Sequence, residues 1–244
     1  MRSTVLLVVA ACSSPTASIE VDATVASPDA TESAADAPAA TGFGELSGMC
    51  GVLMAMDMTS PSPMLVRDTF TFERQYVDPT DRPLLTEGGR RLAETPNAGG
   101  SSGLSEVFAF EQLARCELAT LLKTETEIVY DQAGKITDLE VTLDGHKIGV
   151  SVTRAVAYPF GSTYTMDAAA MLLTRKLGDI QLSTANVSAQ DRWSKQVLAI
   201  LAWDATVATT VAQAWNGLDA SVKADTIVVL TLTDGQDLFI YSNM

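Results

Sequence analysis

Residues 136–155 read ITDLEVTLDGHKIGVSVTRA and predict a β-hairpin at the centre of the fold. Asp144 and Gly145 form its two-residue turn, because both residue types tolerate the positive φ angles that a tight hairpin turn requires. Pairing about this turn places the apolar residues on one face: Leu143 opposite His146, Val141 opposite Ile148, Leu139 opposite Val150. The same register places Asp138 opposite Ser151 on the polar face, and a slip by one residue would reverse both faces.

Segments on both sides of the hairpin predict further helices and strands. Apolar residues at helical spacing after Ser105, a plausible N-cap, predict a first helix over Glu106–Leu122. Residues 44–103 lack a clear period and contain five prolines. The elements predicted after the first helix are strands 124–130, 136–143 and 146–155, helices 166–177 and 189–216, and strands 226–233 and 238–241. This order predicts an α/β domain on a mixed sheet.

The chain divides into three parts by composition. Residues 1–11 have the charge and apolar run of a secretory signal. Residues 12–42 are rich in Ser, Thr, Ala, Pro, Asp and Glu, and bury too little apolar surface to offset the entropy of ordering. Residues 43–244 suit one globular domain, with its core at about 104–244.

The sequence Val9-Ala10-Ala11-Cys12 resembles the lipobox of bacterial lipoproteins. The resemblance implies cleavage before Cys12, a lipid (palmitate-type acyl chains) on its thiol, and export to the cell envelope with the lipid as membrane anchor. Ser13, rather than Asp, follows this cysteine, which in that family implies sorting to the outer membrane. The alternative interpretation is a truncated signal peptide or a hydrophobic start without function.

The charge of the chain argues against nucleic acid as a partner. Sixteen Lys and Arg residues face 30 Asp and Glu residues, which gives a net charge of −14. Affinity for nucleic acids comes largely from cationic side chains that displace counterions, so an acidic surface disfavours them. Five basic residues could still line a local anion-binding surface, or simply aid solubility: Arg154, Arg175, Lys176, Arg192 and Lys195.

Three cysteines divide into one candidate for lipidation and one candidate pair. With Cys12 assigned to the lipid, Cys50 and Cys116 remain, and outside the cytoplasm such a pair predicts a disulfide. Two buried thiols are the alternative. A single histidine and no CxxC sequence exclude a zinc site of His and Cys ligands.

The hairpin and its neighbours resemble the PD-(D/E)XK nuclease superfamily, which has the restriction-endonuclease-like fold. Thr137-Asp138 stands where that family has Pro-Asp, and Ser151-Val152-Thr153 stands where it has Glu-x-Lys, 13 residues after Asp138. The resemblance covers residues 104–160 and, more loosely, 225–232. It implies an α-β-β-β-α-β core, here with an additional C-terminal helix and strand.

The departures from the family's pattern predict a domain that has lost hydrolytic activity. Ser151 lacks the carboxylate that would bind a metal ion, and Thr153 lacks the cation of the family's lysine. We therefore expect an envelope protein without a cofactor, whose domain binds an unknown envelope protein or has a structural role.

A metal-dependent DNA nuclease is the alternative function. Asp138 would then hold Mg²⁺ or Mn²⁺ with Glu140, which shares its face, and with Glu106 or Glu111 from the first helix. Against this stands the simpler interpretation that Asp138 and Glu140 form the solvated face of the hairpin.

Overall fold

Seven strands in one mixed sheet form the centre of the protein, which is described by a computed structural model over residues 42–96 and 103–242. The strands are β1 Glu45–Gly48, β2 Met64–Phe72, β3 Thr120–Thr124, β4 Leu139–Leu143, β5 His146–Ala155, β6 Lys195–Ala202 and β7 Ile227–Gly235. The helices within these ranges are α1 Glu87–Glu94, α2 Gly103–Cys116, α3 Met166–Asn186, α4 Ala205–Gly217, α5 Ala220–Lys223 and α6 Leu238–Tyr241.

The sheet has the order β1-β2-β7-β6-β5-β4-β3. Strands β3, β4 and β5 form an antiparallel meander. Strands β5, β6, β7 and β2 run parallel, and β1 pairs with β2 in the antiparallel direction. Helix α2, the meander, α3 and β6 follow the α-β-β-β-α-β order, although the prediction placed the last core strand at 226–233, which is β7, and the additional strand at 238–241.

The structure confirms the hairpin register. Leu143 pairs with His146, and the ladder continues to Leu139 opposite Val150. Asp144 and Gly145 have φ angles of 47° and 80°, as the two-residue turn requires. Asp138 directly precedes β4, and this register places it on the polar face of the hairpin.

Helices cover both faces of the sheet and enclose two apolar cores. On one face, α2 packs on an aromatic core, whose members include Phe43, Phe70, Phe72, Phe108 and Phe239. On the other face, α3 and α4 pack on a mainly aliphatic core that includes Leu173, Leu177, Leu198, Ile200 and Val211. Inward side chains of β5 alternate between the cores, because Val150 and Val152 belong to the first and Ala155 to the second.

The prediction of one long helix over residues 189–216 is wrong. A short 3-10 turn at Ala189–Asp191 leads into strand β6, and only α4 is helical. Every residue of β6 is buried, since helices cover both of its faces. Such a strand reads as a continuous apolar run without alternation, and the sequence alone does not distinguish it from a buried helix.

Further elements also differ from the prediction, including α3, which continues to Asn186 instead of ending at residue 177. Helix α2 ends at Cys116 rather than Leu122, so the first strand of the meander lies at Thr120–Thr124 instead of 124–130. Residues Leu238–Tyr241 are helical, not a strand. The segment without a clear period contains β1, β2 and α1, and it therefore supplies two strands of the sheet.

A disulfide joins Cys50 to Cys116 and confirms the predicted pair. It ties the segment between β1 and β2 to the end of α2. The next residue, Glu117, adds to this link, because its carboxylate accepts hydrogen bonds from the backbone N–H groups of Gly51 (3.1 Å) and Leu53 (3.0 Å). The early part of the chain is thereby held against the first helix of the predicted core.

The two edge strands are short or irregular. Strand β1 has four residues and ends at Gly48, whose φ angle is 97°. Strand β3 has five residues, and its register with β4 shifts between Leu121 and Lys123. Neither edge presents a long, regular ladder.

The predictions for the N-terminal part lie outside the described residues: the signal at 1–11, the lipid on Cys12 and nearly all of the tether at 12–42. The described residues belong to one compact unit. Within residues 42–96 and 103–242, none of the helices combines the length and the apolarity needed to cross a bilayer.

Candidate functional site

Asp138 lies at the start of β4, next to the middle of β5. Its Oδ2 accepts a hydrogen bond of 2.6 Å from the backbone N–H of Val152. Burial raises the pKa of Asp138 to about 6, although this hydrogen bond and the nearby Lys176 ammonium both oppose the rise. The carboxyl group is therefore close to its titration point near neutral pH.

Lys176 of α3 completes this arrangement from the other side of Val152. Its Nζ donates a hydrogen bond of 3.1 Å to the Val152 carbonyl oxygen. An acid and an amine thus hold the N–H and the C=O of one residue of β5. In the sequence, Lys176 stands out only as one of several scattered basic residues. Its position between Leu173 and Leu177, which face the core, is the signal that it lies beside the sheet.

Buried hydrogen bonds fix the segment that leads to Asp138. The Thr137 side chain is fully buried, and its hydroxyl donates to Ser183 Oγ of α3 at 3.0 Å. Gln196 Nε2 of β6 donates to Ser183 Oγ and Thr184 Oγ1, at 3.1 and 2.8 Å. These contacts anchor the residue before Asp138 to α3 and β6, so the position of Asp138 is set by the core.

Glu140 is on the same face of β4 as Asp138, but it does not reach solvent. Its side chain is 0% exposed, and Oε1 lies 3.1 Å from Nζ of Lys147. Lys147 also donates to the Gln190 carbonyl oxygen, 3.0 Å away. Glu140 is thus enclosed between β4, β5 and the turn before β6, where it acts as an internal counter-charge.

The two glutamates of α2 lie on the opposite face of the sheet from Asp138. Glu111 accepts hydrogen bonds from the Thr86 backbone N–H (2.8 Å) and hydroxyl (2.5 Å), just before α1. Burial raises the pKa of Glu111, and these bonds oppose the rise. Glu106 interacts electrostatically with Arg154, whose side chain points to the α2 face like that of Val152. The sheet therefore separates Glu106 and Glu111 from Asp138.

The residues present do not fit a multi-carboxylate metal centre. Among residues 42–96 and 103–242, no three His, Cys, Asp or Glu side chains are grouped so that they could hold a metal ion. Ser151 and Thr153 alternate with Val150 and Val152 and so face α3, as Asp138 does, but they bring only hydroxyl groups. Hydroxyls do not replace the carboxylates that Mg²⁺ prefers.

Two of the basic residues considered together in the sequence lie at the amino end of β6. Lys195 is buried, and its ammonium donates to the carbonyl oxygens of Ser60 and Ser62. Arg192 is exposed just before the strand. Lys195 therefore holds the segment before β2, and these two residues do not join Arg154 and Arg175 in one surface.

Comparisons with known proteins give one relative in sequence, whose name states no activity, and one solved structure. No known family's model matches the chain. The chain is 38% identical over 175 residues, 69% of its length, to the Dictyostelium discoideum protein named AAC-rich mRNA clone AAC4 protein, and spans a quarter (25%) of that relative. Among solved structures, that of Pyrococcus furiosus SfsA in complex with Ca²⁺ is similar to this chain with a TM-score of 0.30 and 14% identity. The similarity covers 58% of this chain and 70% of SfsA.

Proposed function

We propose that this domain is a non-catalytic binding module on a restriction-endonuclease-like framework. The observation that carries the proposal is the separation of the candidate carboxylates by the sheet. Glu111 stabilises the start of α1, Glu140 neutralises Lys147, and Asp138 bonds to the backbone of β5. Each acid has a structural partner, and the arrangement supports binding or structure better than hydrolysis.

A metal-dependent DNA nuclease with a migrated site is the second candidate. One observation favours it: Asp138 and Lys176 meet at β5, beside the positions where the family's Glu-x-Lys would stand. In such a site Asp138 would hold Mg²⁺ or Mn²⁺, and Lys176 would stand in for the lysine that Thr153 replaces. The net charge of −14 counts against DNA as a substrate.

A nuclease assay separates the two functions. Full-length protein is incubated with plasmid DNA in Mg²⁺ and in Mn²⁺, beside Asp138→Asn and a Glu111→Gln control. We expect no cleavage by any of the three proteins. Metal-dependent cleavage that persists in Glu111→Gln and disappears in Asp138→Asn would establish the second candidate.

We also propose that the protein is exported and held at the outer membrane by a lipid on Cys12. The sequence before Cys12 supports this, and so does the Cys50–Cys116 disulfide, since stable disulfides are typical of oxidising compartments. Radiolabelled palmitate should enter the wild-type protein in cells and should not enter Cys12→Ser. Equal labelling of both proteins, or none, would contradict the anchor.

A further inference from the structure

A groove of about 810 Å³ lies beyond the carboxyl end of β5, against the first half of α3. Its volume falls within the range of sites that hold one small molecule. The carboxyl ends of parallel strands are also where open α/β sheets commonly bind ligands. Its lining includes Arg154 near the end of β5, Val156 directly after that strand, and Tyr164. Helix α3 contributes Met171, Leu172 and Arg175.

The wall that α3 contributes is apolar and open to solvent. Met171 is 72% exposed, although methionine is among the residue types most often buried. Leu172 and Tyr164 are half-buried beside it. Burial raises the pKa of Tyr164 to about 12, so its phenol is neutral and able to donate a hydrogen bond. This wall can therefore hold an apolar body.

One guanidinium group, that of Arg175, gives the groove its charge. The Arg154 side chain points to the α2 face, where its Nη1 donates to the Ile240 carbonyl oxygen at 3.0 Å and its charge interacts with Glu106. Arg175 is exposed on α3 and forms no ion pair with any residue in the described ranges. No acidic residue contributes to the lining. On a chain of net charge −14, this is a local site for an anion.

We propose that this groove binds a free amphipathic carboxylate, a single molecule with an extended apolar body and one anionic group. The apolar wall excludes a polyanion such as DNA, which needs many cations along its backbone. The carboxylate would meet Arg175, since guanidinium groups match carboxylates in shape and charge. This inference rests on the proposed binding function and names the class of its ligand.

Calorimetric titration of the full-length protein with monomeric decanoate tests the proposal, with 1-decanol as the uncharged counterpart. We expect saturable binding of one decanoate and at least tenfold weaker binding of decanol. Arg175→Gln should weaken decanoate binding by about tenfold or more, because hydrogen bonds to charged groups are among the strongest that side chains form. Met171→Asp should abolish it by placing a like charge in the apolar wall.

Two matched variants keep the test specific. Arg192→Gln removes an exposed arginine at the other end of the sheet, and Leu182→Asp places an acid at an exposed apolar position of α3 outside the groove. Both should bind decanoate as the wild-type protein does. Equal weakening in the matched variants, or no weakening in Arg175→Gln and Met171→Asp, overturns the site.

The remaining outcomes separate this inference from the proposed function. A wild-type protein that binds no decanoate, or sediments with phosphatidylglycerol vesicles through Arg175 without binding decanoate, overturns the free carboxylate as ligand. If that protein also cleaves no DNA, the non-catalytic function stands. A protein that binds decanoate as expected and cleaves DNA through Asp138 overturns the proposed function and leaves the groove's ligand in place.

Discussion

The two faces of the sheet are stabilised in different ways. The α2 face joins segments that are far apart in the chain, through aromatic contacts such as that between Phe72 and Phe108, whose ring centroids lie 5.3 Å apart. It also contains the disulfide and the buried acids Asp68, Glu111 and Glu117. The face of α3 and α4 is built from consecutive strand–helix–strand units with a mainly aliphatic core.

This difference predicts where the molecule responds to its surroundings. Burial raises the pKa values of Asp68, Glu111 and Glu117 on the α2 face, and the crosslink there depends on redox conditions. On the face of α3 and α4, burial raises the pKa of one acid described above, Asp138, to about 6, and the Cys50–Cys116 crosslink lies elsewhere. We therefore expect pH and reductant to act mainly through the α2 face.

The largest expected effect comes from removing the disulfide. Changing Cys50 and Cys116 to Ser should lower the free energy of unfolding by about 4 kcal/mol, because the bond restricts a long loop in the unfolded chain. The two cysteines are 66 residues apart. Urea denaturation measures the loss, and the wild-type protein in reductant should behave like the variant.

Amide hydrogen exchange tests whether the loss of stability is confined to the α2 face. In the double variant, exchange should accelerate in α2 and at residues 51–53, while α3 and α4 keep their protection. A loss below about 1 kcal/mol, or equal acceleration on both faces, would show that the crosslink does not distinguish them.

Substitution of Asp68 should give the next largest change in the free energy of unfolding, and this change should depend on pH. Burial raises its pKa to about 7, Glu117 adds to the rise, and hydrogen bonds from Gln112 and Thr231 oppose it. The folded protein therefore keeps a proton that the unfolded chain releases above pH 4. The contribution to stability is complete below about pH 4 and is lost as the pH rises to about 7, at about 1.4 kcal/mol per unit.

Asp68→Asn isolates this contribution from the other titrating groups. The free energy of unfolding of the variant, relative to wild type, should increase by about 4 kcal/mol between pH 4 and pH 8. Denaturant midpoints across this range measure the difference. A difference that is constant with pH would mean that Asp68 has an ordinary pKa in the folded protein.

Substitution of the N-cap residues of helices on the two faces should give the smallest losses in the free energy of unfolding. Asp204 caps α4 by accepting from the Val207 N–H at 2.8 Å, and Asp204→Ala should cost about 1 kcal/mol. Thr86 caps α1 and also donates to Glu111, so Thr86→Ala should cost about 2 kcal/mol, because a buried acid loses a partner as well.

Thermal unfolding of these variants, with Thr165→Ala at the start of α3 as a second simple cap, measures the difference. Thr165→Ala should resemble Asp204→Ala. Equal losses for Thr86→Ala and Asp204→Ala would show that the contact with Glu111 adds nothing to the cap.

The sequence predicts the parts of the fold that depend on local pattern. Asp144 and Gly145 fix the hairpin register, and alternation of apolar residues orients both strands. The sequence did not predict strand β2. Its buried side chains are the apolar Val66, Phe70 and Phe72, and a buried acid, Asp68, interrupts their apolar pattern. The burial of Asp68 depends on Gln112, which is 44 residues away and not visible to a local pattern.

The candidate site shows the same limit. The hairpin register predicted that Asp138 would lie beside Ser151, and its bond to the Val152 N–H agrees with that placement. Its neighbour Lys176 comes from α3, and only the packing of that helix on the sheet brings it there. The sequence equally gives no signal that Glu106 and Glu111 face the opposite core, because the side on which a helix packs is decided by the whole sheet.

The short β1 and the shifted register of β3 have a consequence for how copies of the protein meet. A sheet with regular edges offers unpaired backbone groups as a template on which another chain can add a strand, and this is a route to fibres. Here one edge ends after four residues and the other is interrupted between Leu121 and Lys123. Among the described residues, the two edges of the sheet therefore offer crowded copies only short or interrupted templates, which disfavours strand addition along the sheet.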